Sequence, residues 1–156
     1  MIDFPCYRVA ELLPHSGKMV LLDSIETYSE HGLTASAHIG TDHILLPENQ
    51  TDLPAYASLE IMAQAVGAWA GIQALAAGEA VRLGFLLGTR KLVLHQHSIA
   101  AGSILHVEAV LSWQDQSGMG VFDCTIADKH TGQVIAEAAL NVFSPHDGQV
   151  LAQLMQ

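Results

Sequence analysis

One stretch limits what this chain can fold into more than any other. Ala55 to Ala77 (AYASLEIMAQAVGAWAGIQALAA) contains no proline, is rich in Ala, Leu, Met and Gln, follows Pro54 and stops at Gly78. Proline is tolerated at the first position of a helix, where its missing N–H has no partner to lose, and glycine past the last turn accepts the left-handed stop. The segment therefore predicts one long helix. Apolar residues occupy nearly every side of it, so the helix must be wrapped by other structure rather than lie on a surface. Ala63, Gly67, Ala70, Gly71 and Ala74 are the small residues that let neighbouring backbone come close.

The rest of the chain supplies the wrapping. Tyr7 to Leu13 is a short helical candidate closed by Pro14, and Thr41 to Leu53 is turn-rich. Met19 to Tyr28 and Leu33 to Ile39 read as a hairpin around Glu30, His31 and Gly32. Its second strand alternates Leu33, Ala35, Ala37 and Ile39 with Thr34, Ser36 and His38. After the helix come four strand-like runs, Leu83 to His97, Ser103 to Gln114, Gly120 to Ala127 and Val134 to Phe143, divided by the turns AAG, DQSG and DKHTG. They predict an antiparallel meander. Two strands, a buried helix and four more strands make an α+β chain, a single domain over 1–156, in which a curved antiparallel sheet wraps one central helix.

Composition narrows the function. Acidic residues outnumber basic ones 16 to 6, for a formal charge of -10, so a sequence-independent grip on nucleic acid or anionic lipid is disfavoured. The start, MIDFPCYRVAELL, lacks the basic end and long apolar core of a secretory signal, and no window is long enough to span a membrane; the expected location is the cytoplasm. Cys6 and Cys124 stand apart with no Cys-x-x-Cys pair, as expected of reduced, buried thiols.

Glu60 stands out chemically, because it lies inside the apolar helix between Leu59 and Ile61. An ionised carboxylate in such a place costs several kcal/mol, as an order of magnitude, unless it is paired or protonated. Tyr56 at i−4, Gln64 at i+4 and Gly67 at i+7 share its stripe, so a hydroxyl and an amide are placed to hold the carboxyl while Gly67 leaves space. The alternative is a carboxylate wetted at an exposed helix edge. His15, in LLPHSGKMVLLD, sits in a turn between proline and glycine just ahead of an apolar strand. It is either a general base near neutral pH or a turn histidine capping backbone groups. His43 is a second loop histidine, nearer the helix in sequence. His95 and His97 would share a strand face, with His106 on a following strand, but no carboxylate completes a metal set and no metal site is expected. There is no GxSxG elbow, Walker loop or GxGxxG, so no nucleotide chemistry and no cofactor are signalled.

These residues carry a resemblance. The run LPAYASLEIMAQAVGAWAG, with Pro54 six residues ahead of Glu60, resembles the central-helix segment of the hotdog-fold 3-hydroxyacyl-[acyl-carrier-protein] dehydratases, and LLPHSGKMVLLD resembles their LPHR-type segment. Gly84 to Leu111 is similar to a strand pair of the same enzymes. The similarity extends to Ser144 and is closest to the dehydratase-like proteins of aryl-polyene pathways. It implies that a histidine removes the proton α to a thioester carbonyl while Glu60 protonates the departing 3-hydroxyl. It also implies that the Ala55 N–H holds the developing enolate oxygen, with Tyr56 and Gln64 beside the substrate. The familiar enzymes carry their base in a GHFPG segment fourteen residues before the acid, where this chain has Leu46. His15 is then the preferred base and His43 the alternative. The resemblance further implies an acyl-carrier-protein partner, for which Arg82, Arg90 and Lys91 offer a basic patch. It implies a homodimer or heterodimer with a related hotdog subunit, paired along strand edges, with acid and base drawn from different subunits. Acyl-thioester hydrolysis and a non-catalytic acyl-binding subunit are the competing activities on the same fold.

Overall fold

The computed structural model describes residues 9–13, 17–81 and 84–144. Its elements, in chain order, are helix α1 (Val9–Leu12), strands β1 (Ser24–Ser29), β2 (Gly32–His38) and β3 (Asp52–Pro54), helix α2 (Ser58–Ala76), and strands β4 (Phe85–Leu94), β5 (Ser98–Ala100), β6 (Ile104–Gln114), β7 (Met119–Asp128) and β8 (Val134–Phe143). Short 3₁₀ turns at Gly17–Met19 and Ala55–Ala57 precede β1 and α2. The large sheet runs β1-β2-β6-β7-β8-β4, and every pairing in it is antiparallel. A two-stranded ribbon of β3 and β5 stands apart from it.

The alternation in β2 does what its period predicts. Leu33, Ala35 and Ala37 sit opposite Ala109, Val107 and Leu105, and those in turn lie opposite Cys124, Ile126 and Asp128. Residues directly across a ladder share a face, so the apolar set of each strand falls on one side and closes over α2. Ile61, Met62, Ala65, Ala68 and Ile72 of the helix are fully buried beneath it. Each large aliphatic among them contributes about 1.5–3 kcal/mol through removal from water. Trp69 meets Phe122 edge to face at 5.3 Å, and its indole N–H donates to the Ser29 carbonyl at 3.0 Å, tying the helix to the β1–β2 turn.

Several sequence expectations change. The first hairpin strand, expected from Met19, begins at Ser24, because Gly17–Met19 is a 3₁₀ turn. The four C-terminal runs are not one meander: β6, β7 and β8 follow each other in space, but β4 crosses to the far edge and, among the described strands, pairs only with β8. The expected pairing within Gly84 to Leu111 is therefore absent, because β6 takes β2 as its second neighbour. Leu83 to His97 ends as a strand at Leu94, since β4 already carries register shifts and Lys91 sits at φ 55. Finally, Ala55 to Ala77 is not helical from its first residue, because Ala55–Ala57 is a 3₁₀ turn and the α-helix begins at Ser58. The expected end holds, with Gly78 at φ 76.

The small residues of α2 mark where the N-terminal segment crosses it. A methyl group added at Gly71 would lie 2.2 Å from the Leu12 carbonyl oxygen, and one at Gly67 would lie 3.1 Å from Leu13 Cδ2. The first clash is with backbone and the second with the end of a flexible side chain. Gly71→Ala is accordingly expected to destabilise the fold by about 1–3 kcal/mol, and Gly67→Ala by much less. Urea midpoints at unchanged slope check this; equal midpoints for the two variants would contradict the packing described.

Candidate active site

Glu60 occupies the first turn of α2 and is half-buried. It lies at the edge of a stripe, with Ala63, Gly67 and Ala70, that is less deeply covered than the face under the sheet. The helix dipole places partial positive charge at this end, which suits a carboxyl group or a developing anion. His15 lies outside the described residues, as do Cys6 and Arg82. Its flanks are described: Leu12 and Leu13 pack on Gly71 and Gly67, and Gly17–Met19 forms a 3₁₀ turn.

Gln64 is 1% exposed, and its amide does not reach for the carboxyl. Its Oε1 accepts the Leu21 N–H at 2.7 Å and its Nε2 donates to the Met19 carbonyl at 2.6 Å. Replacing the amide by an apolar side chain would leave the buried Leu21 N–H unpaired, at about 1–3 kcal/mol. Tyr56 is also displaced from the expected stripe. The i−4 relation holds only inside an α-helix, and Tyr56 belongs to the 3₁₀ turn before it, where the residue is 65% exposed. The Ala55 N–H, expected at an enolate oxygen, instead donates to the His97 carbonyl at 3.1 Å and continues the β3–β5 ribbon into the helix start. The amides of Tyr56 and Ala57 follow it toward the helix. Sequence reading missed the ribbon because its strands, DLP and SIA, are too short for a period-two pattern.

His43 is partly buried. Its Nδ1 accepts the Leu45 N–H at 3.2 Å, and its Nε2 is buried with no hydrogen-bond partner. Burial holds its pKa below the usual histidine value, against the opposing pull of Asp23 and Asp42. With Nδ1 accepting, the neutral ring carries its proton on Nε2, so neither nitrogen offers a free lone pair to a substrate. A depressed folded-state pKa means that the unfolded chain binds protons first as pH falls. The stability His43 contributes is thus complete above about pH 6.5 and is lost as pH drops toward its folded value. His43→Asn, which keeps an acceptor near Leu45, is expected to flatten that part of the melting-temperature profile. A profile parallel to wild type from neutral pH down through this range would contradict the assignment.

Among the described residues the remaining histidines do not gather. His95 and His97 lie in a bend beyond β4, His95 Nε2 lies 2.9 Å from Glu137, and His106 faces Ser36 and Ala127 across its ladders. Among the described residues no cluster of three metal-ligating side chains occurs. Burial and the nearby Asp123 push the Cys124 thiol up to about 12, so it is an inert packing group. None of the described helices is long and apolar enough to cross a membrane.

A curved antiparallel sheet closed over one central helix, with a carboxyl in that helix's first turn, is the hotdog architecture. The ApeP-like profile, described as ApeP dehydratase, matches residues 7–155, and the chain belongs to that family. No curated protein sequence matches it. Among solved structures, a chain of the dehydratase heterocomplex ApeI:P from Xenorhabdus doucetiae is 30% identical with a TM-score of 0.86, covering 96% of this chain and 98% of that one. More distant likenesses share the fold alone. The PaaI protein of the E. coli phenylacetic acid degradation operon is 14% identical, TM-score 0.58, over 76% of this chain and 80% of its own. A hypothetical thioesterase from Streptococcus pneumoniae TIGR4, solved with coenzyme A, is 13% identical, TM-score 0.58, over 77% and 83%.

Proposed function

We propose that this protein removes water from a 3-hydroxyacyl thioester borne on an acyl carrier protein, giving the 2-enoyl thioester, in the assembly of an aryl polyene. The observation that carries this reading is Glu60, a half-buried carboxyl in the first turn of an otherwise apolar helix. In the reaction His15 takes the proton from the carbon α to the thioester carbonyl. Glu60 delivers a proton to the 3-hydroxyl as its C–O bond breaks, and water leaves. Proton transfer and C–O cleavage require no redox cofactor. The engagement of His43 Nδ1 by Leu45 supports His15 over His43 as the base. Because Ala55 gives its N–H to His97, the enolate oxygen is read as meeting the amides of Tyr56 and Ala57 at the positive end of the helix.

The partner reading rests on β4. It ends the sheet with one edge unpaired among the described strands, and Leu86, Leu87, Leu92, Val93 and Leu94 along it are all exposed. Such an edge invites pairing with another chain. Since the similar solved chain comes from the ApeI:P dehydratase heterocomplex, a related hotdog subunit is the occupant proposed here. Arg90 and Lys91, exposed on the same strand of a chain with net charge -10, are the basic pair proposed to meet an acidic carrier protein in the cytoplasm. The test presents a 3-hydroxyacyl carrier thioester to the protein alone and to the protein with its related hotdog subunit. Accumulation of the 2-enoyl thioester in the mixture supports the reading. Free acid in its place would mean thioester hydrolysis, and no turnover in either would contradict catalysis.

A further inference from the structure

The open edge of β4 is apolar toward its ends and basic in its middle. Leu86 and Leu87 stand exposed on one side of Arg90 and Lys91, and Val93 and Leu94 on the other. Acidic residues outnumber basic ones 16 to 6, yet within the described residues no hydrogen bond or ion pair engages either cation. Lys129, by contrast, is held by Glu26 at 2.8 Å. Lys91 also sits at φ 55, where β4 slips register against β8 between Arg90 and Val93. Glycine takes that conformation without strain and lysine does not, so the strand keeps its second cation at a conformational cost.

An edge of this kind meets a second copy of itself antiparallel, about a twofold axis. The register that lays Leu86 and Leu87 against the copy's Leu94 and Val93 buries the most apolar surface. It also sets Arg90 directly across from Arg90 of the copy, with Lys91 one place away on each strand. Residues directly opposite share a face about 4.5–5.5 Å apart, and like charges there are destabilising. The neighbouring register, with Thr89 on the axis, only moves the two arginines to a diagonal of about 7–8 Å and places Leu87 against Lys91.

We propose that the Arg90–Lys91 centre of β4 makes this edge reject its own copy and select a hotdog subunit whose edge strand brings a carboxylate opposite it. The inference rests on β4 as the subunit edge proposed above. The apolar flanks offer contact to either partner, and the charged centre supplies the difference between them. Edge pairing consumes backbone groups and leaves side chains on the faces of the sheet, so a carboxylate that meets one cation leaves the other to the carrier protein.

The test needs only this chain. Native mass spectrometry over a range of concentrations gives the dissociation constants, and melting temperatures check folding. The double variant Arg90→Gln, Lys91→Gln is expected to pair with itself on the order of 10²-fold more tightly than wild type does. That variant is more acidic overall, so whole-molecule repulsion would push the other way. The double variant Arg90→Glu, Lys91→Glu, isotope-labelled to separate mixed from unmixed dimers, is expected to pair tightly with wild type and weakly with itself. Wild type that pairs with itself as tightly as the Gln variant would overturn the proposal, and so would mixed dimers no more abundant than chance. If the Glu variant does not fold, the Gln variant decides alone. Monomers in every arm would remove the edge reading and the proposal with it. Dehydration is measured in none of these arms, so a failure of that reading shows separately, in the carrier-thioester assay.

Discussion

Glu60→Gln is expected to fold as wild type and to lose dehydration by about 10²–10⁴-fold. The amide matches the carboxyl in shape and can still occupy the first turn of α2, but it has no proton to give the departing hydroxyl. Because Glu60 is half-buried at the edge of the helix stripe rather than under the sheet, the exchange leaves the core residues Ile61, Met62 and Ala65 untouched. Melting temperature and far-ultraviolet dichroism should therefore follow wild type while kcat collapses. Near-wild-type turnover would make Glu60 a wetted carboxylate of no catalytic consequence.

His15→Ala is expected to lose activity on the same scale, and His43→Ala far less. The two histidines differ in what surrounds them. His43 accepts the Leu45 amide through Nδ1 and buries its other nitrogen, so its ring is committed to the loop before β3. Its removal is expected to lower stability before it lowers turnover. His15 follows Leu12 and Leu13, both packed on the Glu60 helix, and precedes the backbone clamped by Gln64. The two alanine variants, assayed under identical conditions with folding checked, decide between them. Loss of activity in the His43 variant alone would move the base to the loop between β2 and β3.

The wrapped helix was legible because no other structure tolerates Ala55 to Ala77 without burial, and the alternation of Leu33, Ala35 and Ala37 declared which side of β2 faces it. Strand existence was legible for the same reason in β6, β7 and β8. What pattern could not carry was partnership. Nothing in the period of β4 says that it pairs with β8 across the sheet rather than with β6, because ladder neighbours are chosen by long-range packing. Within the site, Glu60 was visible as a charge out of place. Its supposed companions were misassigned by applying helical spacing where the helix had not begun, at Tyr56, and by supposing that a buried amide would seek the nearest side chain. Gln64 bonds backbone instead, since residues 19–21 precede β1 and bring an N–H and a C=O that belong to no ladder. A Gln set among apolar residues on the buried side of a helix is a signal for such a clamp, and Gln64 between Ala63 and Ala65 displays it.

The proposed reaction is removal of water from a carrier-bound 3-hydroxyacyl thioester with Glu60 as the acid. Its most direct test is a single turnover with enzyme in excess, in the presence of the hotdog partner, with the carrier-bound product identified by mass spectrometry. The account predicts the intact carrier thioester lighter by one water with wild type, and unchanged substrate over the same interval with Glu60→Gln. Release of free carrier from wild type, or an identical product from the variant at an identical rate, would contradict it.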